Sequence, residues 1–129
     1  MKKLIPILLS ALMLTSCAGT SNNQTNTYRQ ITMNEAATMM AEESGYIILD
    51  VRRPDEFAVG HIPNAINVPN ESISTAAIPE LPDKSQLILV YCRSGRRSKE
   101  ASEKLVKLGY TNIVEFGGIL DWKGEIVTG

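Results

Sequence analysis

The stretch LILVYCRSGRRSKEAS, residues 87–102, decides how this chain is read. An apolar run rich in β-branched residues, QLILVYC over 86–92, predicts a buried strand. Arg93, Ser94, Gly95, Arg96 and Arg97 follow it, and then the pattern changes period. From 96 to 108, Ala101, Leu105 and Leu108 fall on one helical face, while Glu100 with Lys104 and Glu103 with Lys107 sit four apart on the other. Gly109 closes that helix. A strand that feeds a helix through a short loop is half of a crossover unit, the building block of a parallel sheet.

Working outward, the same alternation continues. Thr32 followed by Glu35 is a capping-box signature, and MNEAATMMAEE behind it predicts a helix ending at Gly45. YIILDV, residues 46–51, predicts a second buried strand, and Pro54 with acids behind it opens a short helix over 54–59. AINVP at 65–69 and NIVEF at 112–116 predict further strands, and 118–123 a last short helix containing Trp122. The expected architecture is a three-layer α/β domain, a mostly parallel central sheet with helices on both faces. Such sheets bind ligands at the carboxyl ends of their strands. Asp50 and Cys92 both fall at such ends and are expected to lie close together.

With 129 residues, 43% hydrophobic and 21% charged, the chain has room for one globular core. Its start differs from the rest. MKKLIPILLSALMLTSC carries two lysines, an apolar run too short to span a bilayer, and then small and polar residues. Residues 1–16 therefore read as a secretory signal peptide. Leu14, Thr15, Ser16 and Cys17 resemble the bacterial lipobox, in which the cysteine becomes the lipidated first residue of the mature protein. Residues 17–27 then form the lipidated cysteine and a polar, flexible tether, and 28–129 the folded domain. The protein is expected outside the cytoplasm, anchored to a membrane of the cell envelope by its lipid, on the periplasmic side in a Gram-negative host. Ala18 in place of an aspartate points to the outer membrane there. Losing Lys2 and Lys3 with the signal leaves 11 basic and 14 acidic residues, a formal charge of −3. That balance argues against nucleic acid as a partner. With Cys17 acylated, Cys92 alone keeps a thiol, so no intramolecular disulfide forms. One histidine and one free thiol are too few for a metal cluster.

Thiols react as thiolates, which a helix N-terminus and neighbouring cations favour. The segment after Cys92 offers both, with Gly95 allowing a tight turn whose N–H groups can form an anion-binding nest. Arg93, Arg96, Arg97 and Lys99 crowd four cations behind it. A buried structural cysteine beside a solvated basic face is the plainer reading, but strand, cysteine, basic glycine loop and helix together favour a nucleophile. A phosphatase loop would place an arginine six residues after its cysteine, where this chain has Ser98, and Arg97 comes one residue early. A disulfide oxidoreductase would need a second nearby cysteine. His61, the lone histidine, could pair with Cys92, yet its setting in GHIPNAINVP favours a ring fixed at a turn.

LDVRRPDEFAVGHIPNAINVP at 49–69, YCRSGRRS at 91–98 and GGILDW at 117–122 together resemble a single-domain rhodanese, a thiosulfate sulfurtransferase. The resemblance implies a rhodanese fold, a persulfide carried on Cys92, and a six-residue loop, Cys92 to Arg97, of the length associated with sulfur transfer rather than with phosphatases. It implies a small anionic donor such as thiosulfate, a thiol or cyanide-like acceptor, and no cofactor. Backbone N–H groups of Ser94, Gly95 and their neighbours would hold the persulfide, and Arg93, Arg96 or Arg97 the sulfonate. Asp50 and Arg52 match the family's DVR strand end in a supporting role. They either polarise the pocket or, as favoured, form ion pairs, with Arg52 meeting Asp55 or Glu56. Trp122 is expected to pack rather than touch substrate. A sulfur carrier loaded by a partner is the alternative of a different class, because a carrier needs the same cysteine.

Overall fold

A computed structural model describes residues 27–129; the expected signal peptide, the expected lipidation site Cys17 and nearly all of the expected tether lie outside the described residues. Ten short elements follow one another: β1 (Arg29–Gln30), α1 (Met33–Glu42), β2 (Ile47–Asp50), α2 (Pro54–Val59), β3 (Ile66–Asn67), a 3-10 turn (Asn70–Ser72), β4 (Ile88–Cys92), α3 (Arg96–Lys107), β5 (Ile113–Gly118) and a second 3-10 turn (Ile119–Asp121). The strands form one sheet in the order β1-β5-β4-β2-β3, every pair parallel. Strand β4 lies at its centre, and all five of its residues are buried. A parallel sheet covered on both faces requires such continuous apolar runs.

Alternation along the strands sorts the core into two layers. Leu49, Val51, Ile88, Val90 and Cys92 face Ala101 and Leu105 of α3, together with Ile73, Ile78 and Leu81 from the connection before β4. Ile48, Leu89, Tyr91, Val114 and Phe116 face the other way, toward Ala36, Met39 and Met40 of α1, Phe57 of α2 and Trp122. Helix α1 starts as expected: the Thr32 hydroxyl accepts from the Glu35 N–H at 3.1 Å, and the Glu35 carboxylate accepts from the Thr32 N–H at 3.1 Å. Among the described residues no helix is long and apolar enough to cross a membrane.

Differences from the expected elements have local causes. Two-residue β1 escapes notice because Arg29 and Gln30 are exposed and carry no alternation; edge pairing to Val114 and Glu115 makes it a strand. The last helix shrinks to a single 3-10 turn, because Gly118 is taken into β5 and Trp122 lies beyond the turn. Glu100 and Lys104 do not pair directly. Both reach Asn70, whose side-chain amide donates to Glu100 at 2.9 Å and whose Oδ1 accepts from Lys104 at 3.0 Å.

Candidate active site

Cys92 ends β4 and is 1% exposed, its side chain on the α3 face of the sheet. The chain then turns through Gly95, whose φ of 112° and ψ of −18° suit glycine and few other residues, and enters α3. That turn brings the Gly95 N–H within 2.9 Å of the Cys92 sulfur, so a helix N-terminus and a backbone donor both face it. Beneath the loop, β5 takes three residues from Glu115 to Gly118 while β4 takes two from Val90 to Cys92. The bulge is at Gly117, with φ of 97°. It sets Gly118 directly against the backbone of Arg93 and Ser94, where any Cβ would collide with the Arg93 carbonyl. The glycine pair of GGILDW thus acts as a floor for the cysteine loop, a role its sequence did not disclose.

The three loop arginines differ in what they hold. Both Nη atoms of Arg97 bind Glu56 of α2, at 2.6 and 3.0 Å. Glu56 also accepts from the Arg53 N–H at the start of its own helix. The Arg97 hydrogen bonds draw the Glu56 carboxyl down to about 2 despite opposition from burial, while Arg97 is held above its usual value by Glu56 first and also by the Cys92 charge. Arg97 is therefore a strut that ties the start of α3 to α2. Arg96 is exposed and paired with Glu100 at 2.9 Å. Arg93 and Ser94 are exposed, and Arg93 makes no ion pair or side-chain hydrogen bond among the described residues. Free cationic charge at the mouth thus comes first from Arg93.

Asp50 and Cys92 end neighbouring strands, as expected, but their side chains do not share a pocket. Asp50 pairs in register with Tyr91, so its side chain lies on the opposite face from the sulfur. Arg52 meets Asp50 rather than Asp55 or Glu56: its backbone N, Nε and Nη2 all donate to the Asp50 carboxylate, between 2.7 and 3.1 Å. Nη2 also donates to the Gly60 carbonyl at 2.6 Å, and the guanidinium lies over the Tyr91 ring at 5.8 Å. Asp55 is taken by Arg53 and Glu56 by Arg97, which removes the expected partners. Burial, then Asp50, pushes the Tyr91 phenol above its usual range. Asn67 closes this end by donating to the carbonyls of Asp50 and Arg52. Asp50 and Arg52 thus form a buried ion pair with each other.

His61 stands at a turn, as expected. Its Nδ1 is 2.8 Å from the Phe57 carbonyl, its ring stacks on Phe57 at 3.7 Å, and its backbone bridges Val127. Trp122 packs on the α1 layer, with its indole N–H donating to the Glu125 carbonyl. Ser98 and Glu115, which sequence reasoning did not single out for a role, lie beside the sulfur. The Ser98 Oγ is 3.5 Å from Cys92 Sγ and 2.6 Å from the Glu115 carboxylate. Among the described residues no group of three or more His, Cys, Asp or Glu side chains could hold a metal ion.

A buried free thiol at a strand end, beside a glycine turn and a helix start, lies where doubly wound α/β folds place their sites. The rhodanese-like domain family matches residues 32–125, and the chain belongs to that family. It is 37% identical over 73 residues to the thiosulfate sulfurtransferase PspE of Escherichia coli, covering 57% of this chain and 70% of that one. It is 33% identical over 94 residues to a sulfurtransferase of Allochromatium vinosum, covering 72% and 86%. A solved structure described as a rhodanese with anions from E. coli superposes with a TM-score of 0.60 at 34% identity, covering 65% of this chain and 99% of that one. Across the first four curated relatives the chain spans 70%, 65%, 22% and 22% of their length. Both of the curated relatives named here are called sulfurtransferases.

Proposed function

We propose that this protein is a thiosulfate sulfurtransferase that works through a persulfide on Cys92. The observation that carries the reading is the Gly95 N–H held 2.9 Å from the sulfur, with Arg97 behind it and Arg93 unengaged at the mouth. The Cys92 thiolate attacks the outer sulfur of thiosulfate, a new S–S bond forms, and the S–S bond of the donor breaks to release sulfite with the electron pair. A thiol or cyanide-like acceptor then attacks the outer sulfur, and the pair of the breaking bond returns to Cys92 as thiolate. Loop N–H groups stabilise the negative persulfide, as preorganised donors do for developing charge. Arg93 binds the sulfonate end, with exposed Arg96 beside it, because Arg97 is committed to Glu56. Similarity to PspE, named a thiosulfate sulfurtransferase, supports the choice of donor. The reading places the protein in the cell envelope, lipid-anchored at Cys17 after removal of residues 1–16, with residues 28–129 as its catalytic domain.

Intact-mass measurement before and after thiosulfate, and again after cyanide, tests the cycle. The expected result is a gain of one sulfur that cyanide removes and that Cys92→Ser never shows. No gain from a folded protein with a titratable thiol overturns thiosulfate as donor and leaves the carrier reading, in which a partner's persulfide loads Cys92.

A further inference from the structure

Glu115 is 2% exposed and forms no ion pair among the described residues, a costly position for a carboxylate unless its charge has a use. Its Oε1 accepts from the Gly117 N–H at 2.8 Å and from the Ser98 hydroxyl at 2.6 Å, and Oε2 lies 3.5 Å from the Gln30 amide. Ser98 is 0% exposed. Its hydroxyl has one proton and several acceptors: Glu115, the Gly95 carbonyl at 2.9 Å and the Gly117 carbonyl at 3.4 Å. The charged and shortest contact takes the proton. An oxygen lone pair then remains for the sulfur at 3.5 Å, so the Cys92 thiol is the donor in that contact.

We propose that Glu115, acting through the Ser98 hydroxyl, takes up the Cys92 proton and so generates the attacking thiolate. The inference rests on Cys92 being the nucleophile of the proposed function. The thiol proton passes to Ser98 Oγ as the Ser98 proton passes to Glu115 Oε1. One S–H bond breaks, one O–H bond forms on the carboxyl, and the electron pair stays on sulfur. The pair carries a single negative charge before and after, so the pocket never has to hold two. The Gly95 N–H and the Arg97 charge then stabilise the charge where it has moved. When the acceptor removes the outer sulfur, the proton returns by the same path. Ser98 touches the reacting sulfur; Glu115 is a positioning residue that works through it. Among the described residues, Arg97 from α3, itself paired with Glu56 of α2, interacts electrostatically with Cys92, and Tyr28 before β1, which also feels Glu103, interacts with Glu115.

The test is the rate at which iodoacetamide, a neutral reagent, alkylates Cys92 in the full chain between about pH 5 and 9. Wild type, Glu115→Gln and Ser98→Ala are compared, with thermal melts to confirm folding. Glutamine keeps the acceptor for Ser98 and Gly117 but holds no proton. If Glu115 accepts the proton, wild type keeps a shallow acid limb. Both variants then react about tenfold more slowly below neutrality, with rates rising about tenfold per pH unit. If Glu115 only braces the loop, Glu115→Gln removes a like charge beside the sulfur and leaves the acid-limb rate unchanged or faster, which overturns the proposal. Should Glu115→Gln fail to fold, Ser98→Ala decides by the same criterion. Iodoacetamide needs no sulfur donor, so failure of thiosulfate loading with this profile intact counts against the proposed function alone.

Discussion

At the carboxyl end of β2, Arg52 binds Asp50 through its backbone N–H, Nε and Nη2, and the pair is sealed by Tyr91, Gly60 and Asn67. At the carboxyl end of the adjacent β4, the loop after Cys92 turns its N–H toward the sulfur, ties Arg97 to another helix and leaves Arg93 in solvent. Both strand ends carry charge at a position where parallel sheets place their sites. The first uses its charge to fix the backbone and has none left for a ligand. The second leaves the Arg93 guanidinium without a partner among the described residues, as the proposed function requires. A strand-end location therefore does not identify a site until the partners of its charges are known.

The largest expected effect would break the structural end while sparing the chemical one. Asp50→Ala leaves the Arg52 guanidinium buried without its counter-charge and should cost about 3–5 kcal/mol in urea unfolding. Alkylation of Cys92 in the still-folded variant should stay close to wild type, because Asp50 faces the other side of the sheet. Loss of Cys92 reactivity in parallel with stability would join the two ends into one unit.

Next in size is the strut between the loop and α2. Glu56 has its carboxyl lowered from 4.5 to about 2 by Arg97, so its stabilising contribution is complete above 4.5 and disappears as pH falls through about 2. Wild type should lose about 1–3 kcal/mol over that window from this group, and Glu56→Gln should lack that part of the acid transition. Equal acid profiles for the two proteins would show that Arg97 is held by something else.

Arg93→Ala sharpens the contrast from the chemical side. Removing the unengaged cation should slow thiosulfate loading about tenfold, or about 1.4 kcal/mol, while stability changes by less than about 0.5 kcal/mol. Unchanged loading would hand the sulfonate to Arg96. The smallest effect is a gain. Ser102 is fully buried in α3 with its Oγ unpartnered among the described residues, so Ser102→Ala should stabilise by about 1 kcal/mol in thermal unfolding without touching sulfur loading.

The periods were legible in the chain itself: the apolar run into Cys92, the change to helical spacing at Arg96, the capping box at Thr32, the Pro54 helix start, and hence a parallel α/β sheet with Cys92 at a strand end. These are short-range signals, legible because backbone geometry imposes a period of about 2 on strands and about 3.6 on helices. The motifs carried the family for the same reason, since residues adjacent in sequence make up the loop. Which face each strand-end side chain takes relative to its neighbours came from the packed fold, which turned Asp50 and Cys92 to opposite faces. It gave Arg97 to Glu56, 41 positions away, and brought Glu115 to Ser98 across 17. Such pairings depend on sheet register and on the bulge at Gly117, which sum contributions from the whole fold. A carboxylate four residues before the Ile119–Asp121 turn has no local pattern that says it lies one hydroxyl away from a sulfur; the register of β5 against β4 puts it there.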